Sequence, residues 1–231
     1  MGAAMVSWSG WYRDRGGSER IAIANDGRVL TVRIRGVEFA GEDFDALEPV
    51  SGGVGPDSSF SLSGSCLCSC AIEWDVPVPV IAGGVRVDGV LRCELVLGDA
   101  RGRHGGLDAE ELTISLHTGG STYTTERPHG LFELALEDIH RQLPADTYVM
   151  ACITCAWSDY SPAGNGLFGS LACFRGVKDA YRGVRTKRDI FAIWPSRTEY
   201  VQETYLCPEF ERRGDDAGYR GPFPGPAAPP G

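Results

Sequence analysis

The chain is predicted to be a mainly β or α+β protein, with an antiparallel β sandwich or barrel-like core, one amphipathic helix and a smaller cysteine-bearing α+β unit. Three observations predict this. Apolar and polar residues alternate through most of the first 125 positions, which is the period of a half-buried strand. Glycine-rich turns, Asn25-Asp26-Gly27 and Gly119-Gly120, separate the alternating runs. Only one long segment, "LFELALEDIHRQLP", carries a helical period.

In chain order, "RIAIANDGRVLTVRIRGVEF" reads as a hairpin over Asn25-Asp26-Gly27, and "GEDFDALEPVSGGVGPDSS" as an acidic loop rich in Gly and Pro. Alternation resumes through "SLSGSCLCSCAIEWDVPVPV" and "GGVRVDGVLRCELVLGD", then through "EELTISLHTGGSTYTTERP" as a further hairpin. The helix over 131–143 puts Leu131, Leu134, Ala135, Ile139 and Leu143 on one face and Glu133, Glu137, Asp138 and Arg141 away from it; Pro144 ends it. Beyond it "DTYVMACITCAW", "DIFAIWP" and "TEYVQETYL" read as strands and "RGVKDAYRGV" as a short helix. The expected layout is a β region over 1–130, a helix plus cysteine-bearing region over 131–213 that could share one domain with the first, and a disordered Gly/Pro-rich tail over 214–231.

Composition excludes some partners. A net charge of -9 opposes a phosphate backbone, so no nucleic acid is expected, and no apolar run approaches a membrane span. The start lacks a basic segment followed by an apolar one, which predicts a cytoplasmic protein whose eight cysteines are thiols or metal ligands. Cys66, Cys68, Cys70 and Cys93 fall on apolar strand faces and read as core residues.

Cys152, Cys155, Cys173 and Cys207 read differently. Cys152 and Cys155 form a C-x2-C pair, able to offer two thiolates to one ion if the strand breaks between them, since an offset of three otherwise sends them to opposite faces. With the two single cysteines they make a candidate four-thiolate zinc site; separate thiols and a redox pair are the alternatives. "GNGLFG" matches G-x-G-x-x-G but does not follow directly on a strand, so no nucleotide cofactor is expected. "WSDYSP" is a turn, or a loop presenting Asp159, Tyr160 and Ser161 to a ligand. His104, His117, His129 and His140 show no paired spacing.

The stretches "CITCAWSDYSPAGNGLFGSLACFRGVKDAY" and "YVQETYLCPEFERR" resemble a bacterial, largely actinobacterial, family of unknown function over residues 148–213. The pattern is C-x2-C, S-D-Y-S-P, a single Cys, then Q-E-T leading to a last Cys. The resemblance implies no activity; it implies that the four late cysteines, Asp159, Tyr160, Ser161 and Glu203 belong to one constellation. The resulting expectation is a binding or scaffold module for a protein or small molecule, with a structural metal site made by the four cysteines. The alternative is a small enzyme using the Ser-Asp-Tyr-Ser-Pro loop with Glu203 and a nearby thiol.

Overall fold

The computed structural model describes residues 5–51, 60–102, 105–164, 166–215 and 218–224. Strand accounts for 44% of the structure and helix for 17%, so the mainly β, α+β expectation holds. Eleven strands cover the first half: β1 Val6–Asp14, β2 Gly17–Asn25, β3 Leu30–Ile34, β4 Val37–Gly41, β5 Glu48–Pro49, β6 Ser61–Ser63, β7 Cys66–Cys68, β8 Cys70–Ala82, β9 Val85–Leu97, β10 Glu110–Thr118 and β11 Ser121–Thr124. Helix α1 spans Phe132–Gln142 and β12 Tyr148–Val149. The C-terminal part adds β13 Ser158–Asp159, β14 Ser170–Cys173, α2 Lys178–Arg182, α3 Lys187–Ile193 and β15 Glu199–Gln202.

One antiparallel sheet runs β11-β10-β9-β8-β1-β2-β3-β4-β5, with β12 pairing β8 beside β1. β6 and β7 form a separate hairpin, and β13-β14-β15 a small second sheet. Strand β8 is long enough to hold two neighbours on one edge: β1 pairs residues 71–74 and β12 residues 80–81. Pro77 and Pro79, which have no N–H to give, fall where β1 has left that edge and β12 has not yet joined.

The buried face of the sheet carries the alternation seen in the sequence: Ile21 and Ile23, Val32 and Ile34, Ile72 and Trp74, Leu91 and Cys93, Leu112 and Ile114. Cys70 and Cys93 lie on this face, as expected for core thiols, with Trp74 paired to Cys93. Ser69 takes a positive φ of 49° and breaks the run, so Cys66 and Cys68 belong to the β6–β7 hairpin instead, with Cys66 only partly buried.

Helix α1 closes the core, but with its apolar face turned from the expected one. Leu134 is exposed, while Phe132, Leu136 and Asp138 are buried. Asp138 tolerates burial because the Glu126 N–H (2.8 Å) and His129 Nε2 (3.1 Å) both reach its Oδ2.

The C-terminal unit shares this core. Phe168 packs among four rings, its centroid 4.8 Å from Phe132, 5.5 Å from Trp74, 5.6 Å from Phe44 and 5.8 Å from Trp8. A second apolar cluster, with Trp157, Phe174, Tyr181 and Ile190, sits under α2 and α3. "DIFAIWP", expected as a strand, is helical: Thr186 caps α3 and Asp189 returns the bond to the Thr186 N–H, a local capping pair that outweighs the β-prone Ile and Phe. Of the tail expected from Gly214 onward, the described residues 218–224 touch the fold: Phe223 is buried against His140, and Arg220 pairs with Glu133. Residues 225–231, Asn165 of the glycine loop and His104 lie outside the described residues.

Candidate functional site

A polar cavity forms around Asp43, just after β4. Phe44 inserts between Trp74, 4.3 Å away between centroids, and Phe168, and this apolar insertion draws the preceding aspartate inward. Asp43 is 6% exposed. Its Oδ1 accepts the N–H of Phe44 (2.7 Å), capping a short 3-10 turn, and the N–H of Phe168 (2.8 Å), 125 residues later. Its Oδ2 has no hydrogen-bond partner among the described residues. Burial, with Asp45 adding, pushes the Asp43 carboxyl up to about 7.

Asp43 lines a cavity of about 320 Å³ together with Arg28, Ser161, Trp194 and Tyr200. Gly166 forms part of its wall, and a Cβ there would collide with Asp43 Oδ2, so only glycine lets the loop cross this carboxylate. Arg28 stands at the rim, paired with Glu42 at 2.7 Å and with its guanidinium 5.3 Å from the Tyr200 ring. The lining combines the buried Asp43 carboxyl with the Arg28–Glu42 ion pair and the aromatic rings of Trp194 and Tyr200.

Of the residues expected to meet a ligand, Ser161 lines this cavity, while Asp159, Tyr160 and Glu203 lie beneath it in the core. Glu203 is fully buried; its Oε1 accepts the Gly169 N–H (2.8 Å) and the Tyr160 hydroxyl (3.4 Å), and Gln202 Nε2 donates to Oε2 (3.1 Å). Burial, with the nearby Asp43 adding, pushes Glu203 up to about 8. Successive amides, Phe168 and Gly169, thus each satisfy one buried carboxyl, tying the glycine loop between Asp43 and Glu203. Asp159 accepts the Tyr181 hydroxyl at 3.1 Å, and the Arg220 guanidinium covers the Tyr160 ring at 4.7 Å.

Sequence reasoning missed Asp43, Arg28, Trp194 and Tyr200. Asp43 sits in a stretch whose acidity reads as solvent loop. The one local signal was an Asp directly before an aromatic residue, the pattern of a capped turn buried at its first position.

The segments that carry the four late cysteines are joined by backbone hydrogen bonds. The strand does break between Cys152 and Cys155, in a 3-10 turn over Cys152–Thr154. Cys173 ends β14, opposite Ser158 of β13. The segment carrying Cys207 is held against the same turn, with the Cys152 N–H donating to the Tyr205 carbonyl (2.7 Å) and the Ala156 N–H to that of Glu211 (2.7 Å). Cys152, Cys155 and Cys173 are buried and Cys207 partly so. Among the described residues no three His, Cys, Asp or Glu side chains already stand at ion-holding spacing.

The fold and cleft describe a mainly β protein with a small polar cavity. The chain belongs to a family of unknown function, DUF6304, whose model matches residues 6–158. No curated protein and no solved structure matches it. The matched region is the sheet, α1, β12 and the Cys152–Cys155 turn. This corrects the expectation that placed the family resemblance on 148–213: membership rests on the large sheet, and the two ranges overlap only from 148 to 158.

Proposed function

We propose that the protein is a binding module for a small polar molecule, held in the cleft between Asp43 and the loop over 161–170. One observation carries the reading: the buried Asp43 carboxyl, whose Oδ2 has no partner among the described residues, belongs to the lining of a cavity large enough for a small ligand. A buried polar atom left unpaired costs about 1–3 kcal/mol, and such a cost is retained where a ligand supplies the missing bond. The ligand therefore brings a hydroxyl or amine to Asp43 and an acceptor group toward Arg28. No helix among the described residues is long and apolar enough to cross a membrane, and eight unpaired thiols fit a reducing compartment such as the cytoplasm.

A second reading, acid–base catalysis, is favoured by the Asp43 carboxyl lying near neutrality, where it can both give and take a proton. In this reading Asp43 replaces the Ser-Asp-Tyr-Ser-Pro loop as the reacting group, and Glu203 and Tyr160 hold the loop that crosses it.

The test is a ligand-observed NMR screen with small hydroxyl- and amine-bearing compounds. Hits should bind the native protein and lose affinity about tenfold or more in Asp43→Asn and Tyr200→Ala, with Arg28→Gln weakening the anionic hits. The reading fails if no compound binds, or if the hits bind all three variants as well as the native chain.

A further inference from the structure

We propose that Cys152, Cys155, Cys173 and Cys207 are the four ligands of one structural zinc ion that clamps the C-terminal unit. The inference is independent of the cleft. It begins with placement. Residues far apart in the chain meet because three backbone connections fold 205–213 around the C-x2-C turn: Cys152 N–H to Tyr205 O, Ala156 N–H to Glu211 O, and Arg213 N–H to Thr154 O at 2.9 Å. Cys207 lies inside that wrapped segment, anchored on both sides. Pairing of β13 with β14 brings Cys173 to the same place.

The surroundings suit thiolates and not merely thiols. The Arg175 guanidinium contacts Cys173 Sγ at 3.4 Å. Such a donor stabilises a charged sulfur and does little for a neutral one. Beneath the turn, the buried Arg213 guanidinium donates to the carbonyls of Ile153 (2.6 Å) and Cys155 (3.3 Å). By contrast, Cys93 is enclosed with no such donor, buried on the apolar face of the sheet.

Binding replaces four S–H bonds by four Zn–S bonds and releases four protons, with no change of oxidation state. Four thiolates leave no open coordination position, so the ion holds structure and activates no water.

The experiment uses the full chain, expressed without added metal and purified under reducing conditions, with elemental analysis and cobalt substitution. About one zinc per chain is expected in the native protein and in Cys66→Ser, with less than about a fifth of that in Cys207→Ser and Cys173→Ser. Cobalt-loaded native protein should show the intense sulfur-to-metal absorption of a tetrahedral tetrathiolate, a readout that holds even if the cysteine variants fail to fold. Folded native protein that contains no zinc and takes up no cobalt would overturn the proposal. So would iron in place of zinc, a disulfide between any two of the four, or full zinc retention in Cys207→Ser.

Discussion

The large sheet and the C-terminal unit are built on opposite principles. Strands β8 and β9 run 13 residues each and pair along their whole length, whereas β13, β14 and β15 have two to four residues. The sheet buries alternate apolar side chains and leaves most of its charges outside, the Asp14 carboxylate held by Arg35 being an exception. The C-terminal unit buries Asp159, Glu203, Gln202 and Arg213, each satisfied by hydroxyls, amides or carbonyls from other segments. A sheet of the first kind is stabilised by apolar area and depends little on pH. A unit of the second kind depends on protonation and on complete polar networks. The two meet at Phe168 and at the loop that crosses Asp43.

The contrast would break most severely at Phe168, because that ring belongs to both halves. Phe168→Ala removes a fully buried ring from among four aromatic neighbours and should cost about 3–5 kcal/mol in urea unfolding. Tryptophan fluorescence and far-ultraviolet circular dichroism should shift together to lower urea. A loss below about 1 kcal/mol, or two separated transitions in the native chain, would mean that the halves do not share a core.

A smaller effect separates the polar network from simple packing. Glu203→Ala leaves the Gly169 N–H, the Tyr160 hydroxyl and the Gln202 amide without their acceptor, and should cost about 2–3 kcal/mol. Glu203→Gln resembles the protonated acid that a carboxyl raised to about 8 presents at neutral pH, so it should cost less than half as much at pH 7. Equal losses in the two variants, measured by urea unfolding, would show that volume and not hydrogen bonding holds this site.

How much of this was legible follows the same division. The hairpin at Asn25-Asp26-Gly27 and the inner face of β8 and β9 could be read directly, because period-2 alternation is a local signal. Helix α1 was found, yet its face was rotated, since Asp138 is buried by bonds from Glu126 and His129 that no helical period encodes. The break between Cys152 and Cys155 was the condition that their odd spacing set for a shared site. Asp43 was not legible, because its burial is set by Phe44 packing on Phe168 far along the chain. The contacts of Arg220 and Phe223 were missed for a similar reason: two isolated residues make no period.

The smallest effect is the most diagnostic of the cleft. Asp43 and Glu203 have folded pKa values raised to about 7 and 8, above ordinary carboxyl values, so between the two limits the folded protein holds protons that the unfolded chain has released. Stability from these groups is therefore full at low pH and falls as pH rises through 7 and 8. His140 works in the other direction. Burial, with Arg212 adding, depresses it to about 3, so its neutral form stabilises the fold above the unfolded value near 6.5 and that contribution is lost as pH falls below it. From about pH 6.5 to 8 these two carboxyls act without an opposing change from His140, and their contribution to native stability should decline by on the order of 1–2 kcal/mol. Asp43→Asn should flatten that decline by about half or more, because it removes one titrating group and also lowers Glu203 by taking away the neighbouring charge. Urea unfolding of both proteins at pH 6.5 and pH 8 measures this, and an unchanged slope in the variant would mean that Asp43 is ionised throughout and already paired.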